Sequence, residues 1–170
     1  MIFTFRFISD EEDSFVIDVN INHNQTFEQL HNSIQDTLKY DSSQLASFFI
    51  TNENWEKLQE IALLDMGNDT DVKIMANTKI EEFFTEKNQR ILYVFDYFNE
   101  RLFFGSVTRT INAESPIQLP SVSKLEGTIP PQIKEIINDD LNNDFNIDDF
   151  NDDDIDFNEG FENIDDLEDY

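Results

Sequence analysis

Alternation of apolar and polar residues opens this chain. In IFTFRFI (residues 2–8), Phe3, Phe5 and Phe7 fall on one side of an extended segment, with Thr4 and Arg6 on the other. After the polar connection SDEED, FVIDVNI repeats the pattern: Phe15, Ile17, Val19 and Ile21 share one face and Asp18 and Asn20 the opposite one. Two half-buried strands of an antiparallel pair follow from this period of two. The period then changes. Thr26-Phe27-Glu28-Gln29 is a capping box, and Phe27, Leu30, Ile34 and Leu38 recur at helical spacing behind it. SFFIT (residues 47–51) predicts a third strand.

The middle of the chain is harder to read. It holds Trp55, a short apolar piece at Ile61-Ala62-Leu63-Leu64, a polar Gly-Asn-Asp loop and a brief strand in VKIMA. Thr78-Lys79-Ile80-Glu81 reads as a second capping box, opening a short helix that turns Ile80, Phe83 and Phe84 inward. Residues 91–107, ILYVFDYFNERLFFGSV, are the most apolar run. They predict two strands with the reversal at Phe98-Asn99-Glu100-Arg101, where Asn99 tolerates a left-handed backbone. Asp96 lies on the face of Leu92 and Val94, and Arg101 is within reach of it across the hairpin; Glu100 is the alternative partner of Arg101. Asp96 and Arg101 are therefore the candidate hairpin site. Beyond a Pro- and Ser-containing connection, Pro131 opens a last amphipathic helix carrying Ile133, Ile136, Ile137 and Leu141.

The pattern predicts an α+β domain over residues 1–133: a mostly antiparallel sheet with two or three helices packed on it, β-grasp-like in its N-terminal half. An amphipathic helix at 134–142 and an acidic Asp/Asn/Phe-rich tail at 143–170 follow. In the tail, single apolar residues on a polyanion predict a mostly disordered segment.

Charge sharpens that division. The net charge is −26, and 15 of the 37 acids lie between Asp139 and Tyr170, where there is no Lys or Arg. Residues 1–138 keep 22 acids against all 11 bases, a net of −11. The bases are scattered singly, so direct nucleic-acid binding is not expected. The 17 Phe residues supply a core, each contributing roughly 1.5–3 kcal/mol when buried. With no cysteine there is no disulfide, thiolate metal site or cysteine nucleophile. A start that is neither basic nor continuously apolar predicts a cytoplasmic protein without a signal segment, and no run reaches the ~20 apolar residues of a membrane helix.

Catalytic kits are missing from the pattern. The 4 glycines are dispersed, so no phosphate-cradling loop forms. His23 lies in a polar turn and His31 on the first helix, and both read as solvated or helix-surface residues. Asp154-Ile155-Asp156-Phe157-Asn158 resembles the start of a calcium loop. The required Gly and bidentate Glu are displaced, however, because Glu159 and Asp165 hold those places. No metal or cofactor is implied. Phe145, Phe150, Phe157 and Phe161 are the candidate tail anchors, suited to a basic protein partner; a solubilising tether is the plainer reading. The expected function is that of a non-catalytic accessory protein. The alternative is a small-ligand protein or enzyme with a pocket near the 91–109 hairpin.

Four stretches, TFEQLHNSIQDTLKYDSSQLASFFI, NENWEKLQEIAL, LYVFDYFNERLFF and LEGTIPPQ, resemble the Ri-plasmid open-reading-frame-three-like family of uncharacterised bacterial proteins. The resemblance spans about Ile2 to Gln132 and implies an α+β fold and a cytoplasmic protein. It supplies no activity. Many relatives follow aromatic-Asp-Phe with Gly-Asp, then Trp and His. Here Phe98-Asn99 stand for Gly-Asp, and Arg101 and Phe103 occupy the Trp and His places, so no role of that His carries over. Some relatives bear a resolvase-like label, but no matching nucleophile-and-arginine constellation is present.

Overall fold

The computed structural model describes residues 1–67, 71–112 and 117–133. The expected helix at 134–142 and the acidic segment at 143–170, with Phe145, Phe150, Phe157 and Phe161, lie outside the described residues.

The two alternating segments form strands β1 (Ile2–Ser9) and β2 (Val16–Asn22), paired antiparallel with Phe5 opposite Val19 and Phe7 opposite Ile17. Helix α1 (Phe27–Leu38) starts at the expected box, in which Thr26 accepts from the Gln29 amide and the Gln29 side chain accepts from the Thr26 N–H. Strands β3 (Ser47–Thr51), β4 (Lys57–Ala62) and the short β5 (Lys73–Ile74) follow. Then come β6 (Arg90–Asp96), β7 (Arg101–Ile111) and β8 (Ser121–Glu126). They make one eight-stranded sheet in the order β5-β4-β3-β6-β7-β1-β2-β8. The order hairpin, helix, strand is as expected, but β6 and β7 separate β3 from β1.

Two expectations are corrected. The sheet is mixed, because β4 and β5 run parallel while the other pairs are antiparallel. Among the described residues there is one α-helix, not two or three. The segment after Thr78 is a single 3-10 turn, Ile80–Glu82. Thr78 is buried and donates to the Ile74 carbonyl, so its hydroxyl cannot cap; Glu82 accepts from the Lys79 N–H instead. Ile80 and Phe84 still face the core, with Phe83 half-buried against it. Residues 131–133 are not helical, so Pro131 opens no helix there.

The core lies between α1 and the sheet face carrying the alternating apolar residues. Phe3, Phe5, Phe7, Phe27, Phe48, Phe95 and Phe103 are all buried in it. Rings meet edge to face at Phe5–Phe84 (4.8 Å) and tilted at Phe95–Phe103 (4.5 Å). Such pairs add ~0.5–1.5 kcal/mol to burial. Gly105 sits between Phe7 and Ile91 in register, and a Cβ there would come within 2.7 Å of both side chains. The glycine in the aromatic run therefore makes room for the Phe7 ring.

Three polar side chains inside this core, Gln35, Tyr93 and His31, are bonded to one another. The Tyr93 hydroxyl accepts from Gln35 Nε2 (2.6 Å), which leaves its own proton for His31 Nδ1 (2.8 Å). Burial lowers the His31 pKa from 6.5 to about 4, against an opposing pull from Asp36. Neutral His31 is thus a core component and not the solvated or helix-surface residue expected: one turn after Phe27, it is buried against Tyr93.

A pH dependence follows. Between pH 6.5 and 4 the unfolded chain takes up a proton that folded His31 refuses. The stability tied to neutral His31 is therefore complete above about 6.5 and lost on acidification, to a limit on the order of 3 kcal/mol. Urea unfolding at pH 7 and pH 4.5 should show a smaller acid loss in His31→Asn than in wild type. Equal losses in both proteins would contradict this role.

Candidate functional site

Asp96 closes β6 at a register shift that sets it opposite Arg101, the first residue of β7. Its carboxylate accepts from the Asn99 backbone N–H (3.2 Å) and from Asn99 Nδ2 (2.7 Å). Burial acts to raise the Asp96 pKa, but the Asn99 hydrogen bonds, helped by Arg101, outweigh it and hold the group below the usual carboxylate range. Because Asp96 fixes Asn99, the left-handed step falls on Glu100 (φ 52°), not on Asn99 as the sequence suggests.

Arg101 is buried, with 3% of its side chain exposed. Its main partner is neither Asp96 nor Glu100. Nε and Nη2 donate to the two oxygens of Glu11, each at 2.8 Å, in a bidentate pair. Nη2 also reaches the Pro131 carbonyl (2.6 Å) and Nη1 the Gln132 carbonyl (2.8 Å). Asp96 Oδ2 stands 3.6 Å from Nη1, and the guanidinium lies 5.0 Å above the centre of the Phe95 ring. The Glu11 hydrogen bond raises the Arg101 pKa against the opposing effect of burial. The expected Asp96–Arg101 proximity is present as a secondary contact within a larger clamp.

The clamp also engages the end of α1. Tyr40 donates to the Pro130 carbonyl; Asp41 N–H donates to Gln132 Oε1 (2.6 Å), and Gln132 Nε2 returns a bond to the Asp41 carbonyl (3.0 Å). Gly127 lets this strand through: its φ is +81°, and a Cβ would lie 2.1 Å from the Ser14 carbonyl oxygen. Three of the stretches quoted above thus meet here, through Tyr40-Asp41, Asp96-Arg101 and Gly127 to Gln132. Phe103, where many relatives place His, is buried between Phe15 (4.8 Å) and Phe95 (4.5 Å).

On the β3–β4 side of the turn is a cavity of about 290 Å³, walled by Ala46, Leu63 and Val72, with Ser47, Glu60 and Tyr97 at its polar end. Ser47 Oγ donates to Glu60 Oε1 (2.7 Å), which also accepts from the Tyr97 hydroxyl. Burial and this bond to Glu60 raise the Tyr97 pKa. Elsewhere, His23 Nδ1 is 2.5 Å from Glu81 Oε2. Among the described residues, no three His, Asp or Glu side chains are grouped to hold a metal ion, and no helix is long and apolar enough to cross a membrane.

A family model described as plasmid pRiA4b ORF-3-like protein matches residues 8–139. The chain belongs to this family. A crystal structure of a protein of unknown function from Methanosarcina mazei Go1 is similar in fold, with a TM-score of 0.56 and 16% sequence identity, over 73% of this chain and 68% of that one. No curated protein matches the chain. The four sequence stretches therefore mark true family membership, and the clamp gives three of them an architectural reason.

Sequence reasoning missed Glu11, because SDEED offers several equivalent acids and only the folded hairpin shows which one faces Arg101. It did not name the lining of this cavity, because Ser47, Glu60 and Tyr97 come from three separate strands or turns. Removing Arg101 would leave Glu11 and Asp96 without their cation and two carbonyls without a donor. Arg101→Met should cost about 3–5 kcal/mol in urea unfolding and expose residues 129–133 to limited proteolysis. A loss below about 1 kcal/mol with unchanged cleavage would refute the clamp.

Proposed function

We propose that this family member is a non-catalytic accessory protein of the cytoplasm, whose acidic, aromatic segment at 143–170 contacts a basic protein partner. The observation that carries the reading is the anchoring of Pro131 and Gln132 by Arg101, which ties residues 131–132 to the hairpin. There Phe98 is 91% exposed, with Tyr97 and Ile133 also exposed nearby. An exposed apolar cluster on a chain that also carries a polyanion suits a partner that offers both apolar and basic surface. The ties of His31 to Tyr93 and of His23 to Glu81 give both histidines structural work, in keeping with a non-catalytic protein. A segment serving only as a solubilising tether is the competing use of the same residues.

A second reading rests on the cavity beside Tyr97, which favours a small-ligand protein. Its apolar walls with a few polar groups at one end are the general form of a ligand pocket.

The accessory reading is tested by affinity capture from the host with full-length protein, a form ending at 142, and Phe98→Ser. Basic proteins should be retained by the full chain, lost with the truncated form and weakened by Phe98→Ser. Binding should be reproduced with the purified partner and fall with added salt. Identical capture by full-length and truncated forms, both folded, would reject the role of the segment.

A further inference from the structure

The polar end of the cavity has a definite polarity of charge. Glu60 Oε1 receives both hydroxyls, Ser47 Oγ at 2.7 Å and Tyr97 Oη, while Oε2 accepts no hydrogen bond among the described residues. Ser47 is buried and its hydroxyl is also 3.2 Å from that of Tyr97, so the carboxylate is held from one side. A second carboxylate, Asp65, lines the same cavity, and none of the described lining residues is basic. The lining is otherwise largely aliphatic, with Ala46, Ala62, Leu63 and Val72, and with Leu64 exposed.

A ligand here meets two carboxylates and a lining that is mostly hydrocarbon. An anion is repelled by two carboxylates, and a purely apolar molecule leaves Glu60 Oε2 desolvated without a partner. A compact cation on an aliphatic stem satisfies both ends. We propose that this cavity binds an alkylammonium group, the cation on Glu60 Oε2 and the stem along Ala62, Leu63 and Val72. The inference rests on the small-ligand reading of the cavity and names its ligand class. The volume, about 290 Å³, is near the lower limit of ~300–1,000 Å³ for ligand pockets and suits a short chain. Two sources carry this chemistry: a free aliphatic amine, or a lysine side chain presented by the basic partner proposed above.

Isothermal titration of the full-length protein with hexylammonium, hexanol and hexanoate tests it. Hexylammonium should bind at least tenfold more tightly than either analogue. Glu60→Gln keeps acceptors for Ser47 and Tyr97 but removes the charge, and should weaken hexylammonium at least tenfold. Ala62→Phe fills the cavity and should abolish binding. A lysine-containing basic peptide provides the second arm: competition with hexylammonium identifies a protein side chain as a ligand, and absence of competition identifies a free amine, either result requiring the site. Equal binding of hexanol, unchanged by Glu60→Gln, would overturn the cationic class and leave the cavity reading standing. No binding by any probe would overturn both.

Discussion

A single buried guanidinium ties this domain together. Arg101 is surrounded by groups it must satisfy: the bidentate Glu11 carboxylate, two backbone carbonyls at Pro131 and Gln132, and the nearby Asp96. A cation out of water is expensive unless fully bonded, and here it is bonded by parts of the chain 90 and about 30 residues away. The loop after β1 and the segment after β8 must both reach the start of β7 for the guanidinium to be fully bonded. Arg suits this better than Lys, since only a planar fork can serve one carboxylate and two carbonyls together.

The fold around the clamp follows from simpler rules. Alternating Phe and aliphatic residues give β1, β2 and β7 one buried face, α1 covers it, and Gly105 yields space to Phe7. The polar knot of Gln35, Tyr93 and His31 lies within that core and specifies how α1 meets β6. Regularity ends at the turn, where the exposed Phe98 and the cavity lined by Tyr97 and Glu60 adjoin the same reversal.

Much of the architecture was legible in the sequence because it depends on short-range periodicity. The alternation from Phe3 to Phe7 and from Phe15 to Ile21, the Thr26 box and the α1 stripe need no knowledge of distant residues. What failed depended on tertiary context. Thr78 looks like a cap until the fold offers it the Ile74 carbonyl, and Asn99 looks like the left-handed residue until Asp96 holds it. Strand β4, with the polar KLQE at its start, has no clean alternation to announce it. The candidate site was half legible: Asp96 and Arg101 are together as the hairpin spacing implied. Nothing in the sequence pointed to Glu11 or to the carbonyls of Pro131 and Gln132.

The clamp makes the segment after β8 a structural member of the domain, distinct from the acidic residues beyond it. Thermal unfolding of two shortened chains, one ending at Ile133 and one at Thr128, addresses this most directly. The account predicts that the first melts cooperatively, close to the full-length protein. The second, having lost the carbonyls and the Gln132 side chain that Arg101 and Asp41 require, should melt far lower. If the two chains melt together, Arg101 does not hold the fold in the way described.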